Sequence, residues 1–232
     1  MSPLKVVVLM GGPSEEREIS LRSGDGIAQA LTRRGYIVER LIIPHELSLD
    51  AVPAFAAGAL RELATDVAFI ALHGAGGEDG TIQQVCETLG LAFTGSSVRA
   101  SQLGMDKIAS KRCFEEAGLR VPRWQVVEAA ATLDSDRLRD VSYPLVVKPS
   151  CSGSSFGVSI LDDAATLSSA IALAGRYSAS VLLEEWIAGR ELTVGVIGEQ
   201  PLPVVEVKPR HAFFDYTAKY TPGQTEIGRA HV

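Results

Sequence analysis

Cysteine is scarce in this sequence. Cys86, Cys113 and Cys151 are odd in number and widely spaced among 232 residues, which argues against a disulfide framework or a CxxC metal site and for a reducing compartment. Positive charge is also in short supply. Lys and Arg total 22 against 28 Asp and Glu, a net charge of −6 with a pI near 5.3, so the electropositive footprint of a nucleic-acid binder is missing. A local cluster of lysines can still hold a phosphate. No apolar run reaches membrane-spanning length. Residues 4–10 form the most apolar N-terminal stretch, and they run into Gly11-Gly12 rather than a signal cleavage site, so they read as a first β-strand. Without a targeting or spanning segment, the expected location is the cytoplasm. There is no internal repeat and no low-complexity tract. What is present, 46% hydrophobic and 22% charged residues in 24.6 kDa, suits a soluble globular protein of one large domain or two small ones.

The first third alternates strand and helix. Leu4 to Met10 predicts a strand, Glu16 to Arg34 an amphipathic helix stopped by Gly35, Tyr36 to Ile43 a second strand, Val52 to Leu63 an Ala-rich helix interrupted by Gly58, and Val67 to Leu72 a third strand. This order implies a parallel sheet covered on both faces. Ligands then gather beyond the carboxyl ends of the strands, where Gly11-Gly12 and the 73–80 loop would face one site. Helices follow at Thr81 to Leu89 and Asp106 to Ala117; Met105, Ala109, Cys113 and Ala117 recur every four residues, which predicts a buried Cys113. After Pro122 short strand-like runs dominate, with one helix at Ala164 to Ala174, so an α+β region is expected from about residue 96.

Five segments can carry chemistry. Gly11-Gly-Pro-Ser-Glu-Glu-Arg-Glu18 places glycines, a capping Ser and acids where a strand hands over to a helix. Such a turn can hold an anion at the helix end or an ammonium on a Glu, and it is equally an ordinary capped helix. His73-Gly-Ala-Gly-Gly-Glu-Asp-Gly80 allows close approach of backbone N–H groups to a ligand, and a solvent-exposed turn on a flexible loop reads the same way; its spacing matches no metal site. Lys148-Pro-Ser-Cys-Ser-Gly-Ser-Ser-Phe-Gly157 joins two predicted strands and lacks both the P-loop ending and the dinucleotide fingerprint. A Ser/Gly hairpin closing over a triphosphate needs that composition, as does a plain polar turn. Glu184-Glu-Trp-Ile187 with Glu191 suits an adenine and a ribose hydroxyl, or two solvated acids on an edge strand. The aromatics of Phe214 to Tyr220 suit either a site or a core.

In their order these segments resemble the D-alanine:D-alanine ligases, members of the ATP-grasp superfamily, over nearly the whole chain. The resemblance rests on GGPSEEREIS (11–20), HGAGGEDGTIQ (73–83), KPSCSGSSFG (148–157) and DYTAKY (215–220), with Met105-Asp-Lys107 and Glu184-Glu-Trp-Ile187 agreeing. It implies an α/β fold: an N-terminal parallel-sheet substrate-binding domain (1–95), then an α+β ATP-grasp domain with a central subdomain (96–183) and the start of a C-terminal subdomain (184–232). By resemblance Lys107, Lys148 and Lys219 neutralise ATP phosphates, Glu184, Glu185, Trp186 and Ile187 hold adenine, Glu191 takes the ribose, and the loop carrying Ser154 and Ser155 closes over the phosphates. Glu16 receives the ammonium of a first D-alanine and His73 approaches its carboxylate. Glu16, Ser154 and Tyr220 form a catalytic triad of hydrogen bonds tying the loops shut.

The implied reaction joins two D-alanines through an acyl phosphate, with ATP and Mg2+ or Mn2+, for peptidoglycan precursors in a bacterial cytoplasm. The implied partners are D-alanine and ATP, with no nucleic acid and no membrane, and in the complete protein a homodimer. In the resembling family the chain continues beyond Tyr220 through magnesium ligands, an Arg and a Ser, whereas here Gly228-Arg-Ala-His-Val232 departs from the pattern. Incomplete metal binding and weak or absent activity are therefore expected of these 232 residues. A D-alanine:D-lactate ligase, disfavoured by Tyr220, another ATP-grasp carboxylate-amine ligase, and a non-catalytic nucleotide-binding fragment are the alternative readings.

Overall fold

The computed structural model describes residues 3–130, 138, 141–210, 218–219, 221 and 223–230. They divide into two compact units: residues 1–120 with 151–153, and residues 121–150 with 154–232. In the first unit β1 (Lys5–Gly11), α1 (Arg17–Arg33), β2 (Ile37–Ile43), α2 (Val52–Glu62), β3 (Val67–Ile70), α3 (Thr81–Thr88), β4 (Ala92–Phe93), α4 (Val98–Met105) and α5 (Lys107–Glu116) follow one another. The sheet is parallel, in the order β2-β1-β3-β4.

The central strand β1 is apolar and buried from Val6 to Met10 because both its faces are covered. Val7 and Leu9 point to the side held by Val52, Ala56 and Leu60 of α2 and Ile82, Val85 and Cys86 of α3. Val8 and Met10 point to the other side, against Ala28 of α1. Helix α1 meets the sheet at Gly24, where a Cβ would stand 2.7 Å from that of Met10. The chain leaves β1 toward β2 on one flank and returns to β3 on the other. The turns after β1 and β3 therefore sit side by side at the carboxyl edge.

Two sequence expectations are corrected in this unit. Helix α2 runs through Gly58 without interruption, since Gly58 faces solvent and the buried stripe Val52, Ala56, Leu60 holds the helix. Cys113 is exposed rather than buried. The four-residue spacing crosses a break: α4 ends at Met105, and Asp106 turns out of the helix (φ −87°, ψ 100°) to cap α5. Met105 and Cys113 thus lie on different helices, so their spacing defines no common face. Burial instead pushes the Cys86 thiol up to about 11, in keeping with a structural cysteine.

In the second unit β5 (Trp124–Glu128), β6 (Leu145–Pro149), β7 (Ser159–Leu161) and β8 (Ser180–Glu185) form an antiparallel sheet ordered β5-β8-β6-β7, with α6 (Leu167–Ala174) on one face. Leu145, Val147, Val181 and Leu183 pack with Leu167, Ala170, Ile171 and Ala174 of α6. By strand alternation Val146, Lys148, Leu182 and Glu184 stand on the opposite face. Strand β9 (Glu191–Thr193) pairs with β12 (Val205–Pro209), which pairs with β13 (Thr225–Arg229), and β10 (Val196–Ile197) with β11 (Gln200–Pro201) makes a short hairpin.

Candidate active site

In the first unit the two turns are braced by hydrogen bonds. Ser20, fully buried on α1, accepts from Gly11 N–H (2.9 Å) and donates to Ala71 O (2.7 Å). Ser14, expected as a helix cap, instead accepts from Glu16 N–H (3.3 Å) and donates to His73 O (2.8 Å), joining the turn after β1 to the turn after β3. The N-cap residue of α1 is Glu16, which makes no side-chain cap bond.

The 73–80 loop is not the flexible turn the glycines suggested. Gly74 N–H donates to Glu78 Oε2 (2.8 Å) and Gly76 N–H to Asp79 Oδ2 (2.7 Å), while Asp79 Oδ1 accepts from Thr81 N–H (3.0 Å) at the start of α3. Gln83, buried, donates to Gly77 O (2.8 Å). These glycine N–H groups are committed within the loop, so the ligand-facing groups here are side chains. Gly74 (φ +67°) is required twice over, because a Cβ would also lie 2.8 Å from Glu16 Oε2.

A cavity of about 660 Å³ opens beside this loop, lined by His73, Glu78, Ser23, Lys107, Ser152 and Gly153 among others. Lys107, in the first turn of α5, donates to Ser152 O (2.8 Å). Glu16 is buried, and its carboxylate reaches Gly153: a Cβ there would stand 2.6 Å from Oε2. His73 Nδ1 lies 3.6 Å from Glu78 Oε1. The facing Glu78 carboxylate raises the His73 pKa above its ordinary 6.5 against an opposing desolvation, with a smaller contribution from Glu16. Burial pushes Glu78 upward, but His73 and the Gly74 N–H together outweigh it and hold the carboxyl below its ordinary 4.5.

In the second unit Lys148 Nζ lies 2.5 Å from Glu184 Oε2, on the sheet face away from α6. Glu184 is therefore not a solvated edge acid: β8 is an inner strand and the carboxylate is buried. Glu185 is half-buried and pairs with Arg123, whose backbone N–H and guanidinium hold its carboxyl below the usual range. Trp186 N–H donates to Pro144 O (2.9 Å), Ile187 is exposed, and Glu191 opens β9 exposed. In the Ser/Gly loop Ser154 has φ +53°, and its buried Oγ has no hydrogen-bond partner among the described residues. Phe156 is anchored on Tyr177 at a ring distance of 6.0 Å, beside Ser155. Lys219 follows the buried Ala218, and Tyr220 lies outside the described residues.

Sequence reading missed Ser20, Ser23, Gln83 and the forked pair of Arg190 with Glu206 (2.8 Å twice), which holds the Glu206 carboxyl down at about 2. The only available signal for the serines was a polar residue on the apolar side of a helix. Among the described residues no group of three or more His, Cys, Asp or Glu stands together as a metal site.

A parallel α/β unit, followed by an antiparallel sheet with a lysine at the foot of a Ser/Gly hairpin loop, defines the class of ATP-grasp ligases. Residues 49–96 match the D-ala D-ala ligase N-terminus and residues 113–231 the D-ala D-ala ligase C-terminus. A D-alanine:D-alanine ligase of Syntrophotalea carbinolica is 46% identical over 222 residues, covering 96% of this chain and 69% of the relative; that of Geobacter sulfurreducens is 42% identical over 226 residues, covering 96% and 67%. The crystal structure of the Bacillus anthracis D-alanine:D-alanine ligase complexed with ATP superimposes with a TM-score of 0.80 at 28% identity, covering 99% of this chain and 71% of that one. VanG D-Ala:D-Ser ligase of Enterococcus faecalis gives 0.75 at 27%, covering 97% and 76%. The chain belongs to the D-alanine:D-alanine ligase family, and by family it is a ligase.

Proposed function

We propose that this chain binds ATP and D-alanine for the formation of D-alanyl-D-alanine, a peptidoglycan precursor. The observation that carries the substrate reading is a charge arrangement in the first unit. A buried carboxylate, Glu16, reaches Gly153 at the cavity wall, and the same cavity is lined by His73, whose positive form is favoured. Such a pair complements the ammonium and carboxylate of an amino acid.

The chemistry is positioning and charge neutralisation. A carboxylate oxygen of the first D-alanine attacks the γ-phosphorus of ATP and ADP leaves. The amine nitrogen of the second then attacks the acyl carbon, phosphate leaves, and the nitrogen loses a proton. Lys107, Lys148 and Lys219 neutralise phosphate charge, residues 184–187 hold adenine, and Glu191 holds the ribose. Ser154 and Ser155 belong to the covering loop that excludes water from the acyl phosphate, and Glu16, Ser154 and Tyr220 tie it shut. The three-part division at residues 95 and 183, a homodimer and a cytoplasmic location belong to the same reading; among the described residues no helix is long and apolar enough to cross a membrane.

The test supplies D-alanine, ATP and magnesium to the purified chain and measures dipeptide and phosphate, with D-lactate and D-serine offered as competing second substrates. Calorimetry with ATP and with D-alanine separately tests binding. Absence of binding to both would overturn the substrate reading.

A further inference from the structure

His73 is held from two sides. On one, Glu78 Oε1 faces Nδ1 at 3.6 Å. On the other, Ser23 Oγ, on α1, lies 3.3 Å from Nε2. The Ser23 hydroxyl has one hydrogen, and that hydrogen is donated to Ile19 O at 2.8 Å, one turn back on α1. Toward the ring, Ser23 therefore offers a lone pair and accepts from Nε2–H. A carboxylate on one nitrogen and an engaged hydroxyl on the other are both acceptors, an arrangement that only the doubly protonated ring satisfies.

We propose that Ser23 is a positioning residue that clamps His73 from the side opposite Glu78, so that the ring meets the cavity as an oriented imidazolium. Toward a carboxylate ligand His73 then acts as a fixed charge and not as a group that gives up its proton. The charged groups around it favour this state on balance. Glu78 faces the ring directly, Glu16 approaches from the turn before α1, and Asp79 follows Glu78 in the loop; Lys107 on α5 lines the same cavity and opposes them. What the clamp is for rests on the D-alanine reading, whereas its existence does not.

The experiment is an NMR titration of the ligand-free chain labelled with 15N-histidine, with His73 assigned among His45, His73, His211 and His231 by loss of its signals in His73→Gln. Ser23→Ala is expected to raise the His73 proton dissociation constant roughly 2- to 10-fold, the worth of one net hydrogen bond. Ser23→Thr, which keeps the hydroxyl, is expected to restore it, and the other three histidines to be unmoved in both. An unchanged His73 titration in Ser23→Ala overturns the proposal, as does a Ser23→Thr chain that retains the fold by its amide spectrum and titrates like the alanine variant. Calorimetry with D-alanine is read separately: failure to bind counts against the substrate reading and leaves the titration result standing.

Discussion

Lys148 Nζ stands 2.5 Å from Glu184 Oε2, across neighbouring strands β6 and β8 and one step off the direct register, in which Lys148 faces Leu182 and Val146 faces Glu184. The diagonal pair lies on the face away from the α6 core, where Leu182 and Glu184 are themselves buried, so the carboxylate holds the ammonium in a covered place. Lys148→Ala is expected to do two separable things. ATP affinity falls roughly ten-fold or more, because a charge-assisted phosphate contact is lost. Stability falls by about 3 kcal/mol, because a buried carboxylate loses its ammonium. A Lys148→Met, Glu184→Leu double variant should regain most of the stability and none of the affinity. Urea unfolding and calorimetry read the two effects, and a double variant that binds ATP like the wild type would show that Lys148 is a structural residue.

Ser20 predicts a loss of stability at a position with no chemistry of its own. Its hydroxyl serves both Gly11 N–H and Ala71 O in a fully buried place. Ser20→Ala is expected to destabilise by about 2 kcal/mol, the cost of stranding buried partners. Thr32→Ala, which removes a hydroxyl bonded to Ala28 O on the same helix, should change stability by under about 0.5 kcal/mol. Equal melting shifts in the two variants would refute the bridging role.

How much of this was legible in the sequence depends on the range of the interaction concerned. The β1 run Val6 to Met10 and the α2 stripe Val52, Ala56, Leu60 announce a two-faced parallel sheet, since periodicity is a local property. The motif positions Glu16, His73, Lys107 and Lys148 were legible by resemblance. The roles of Ser14, Ser20 and Ser23 were not, because each bonds a partner that only the fold brings near, up to 59 residues away for Ser14 and His73. Cys113 was misread for a related reason: its four-residue spacing is real, but the Asp106 cap divides it between two helices. The burial of Glu184 followed from strand order, which puts β8 inside its sheet; the sequence of that strand reads equally well for an edge.

The His73 and Glu78 pair sets a pH window. His73 has a raised value, so its share of stability is complete below 6.5 and is lost as pH climbs through the folded value. Glu78 has a lowered value, so its share is complete above 4.5 and is lost as pH falls through the folded value. The pair contributes fully between these ordinary values. Both side chains are partly exposed, which holds the whole effect to below about 1 kcal/mol. The unfolding free energy of the wild type minus that of Glu78→Gln, followed from about pH 4 to about pH 9, is expected to peak inside the window and narrow on both sides. A difference that stays level across the range would mean that the two groups do not interact in the fold.

The second unit presents apolar side chains to solvent on its later strands. Val196, Ile197, Leu192 and Val194 are exposed around β9 and β10, and Ile227 on β13 is 67% exposed. Scattered exposed aliphatics are ordinary, but four within residues 192–197 make a stretch that gains by being covered. Each such side chain contributes on the order of 1.5 to 3 kcal/mol when fully buried, so modest contact between copies suffices to hold them together. The purified chain is therefore expected to self-associate as concentration rises. The Val196→Lys, Ile197→Lys variant should self-associate less over the same range with its melting temperature little changed, because neither residue packs in a core. Sedimentation velocity across a concentration series distinguishes the outcomes. If the lysine variant associates as strongly as the parent, the β10 surface is not what the copies share, and contact through the first unit becomes the arrangement to test.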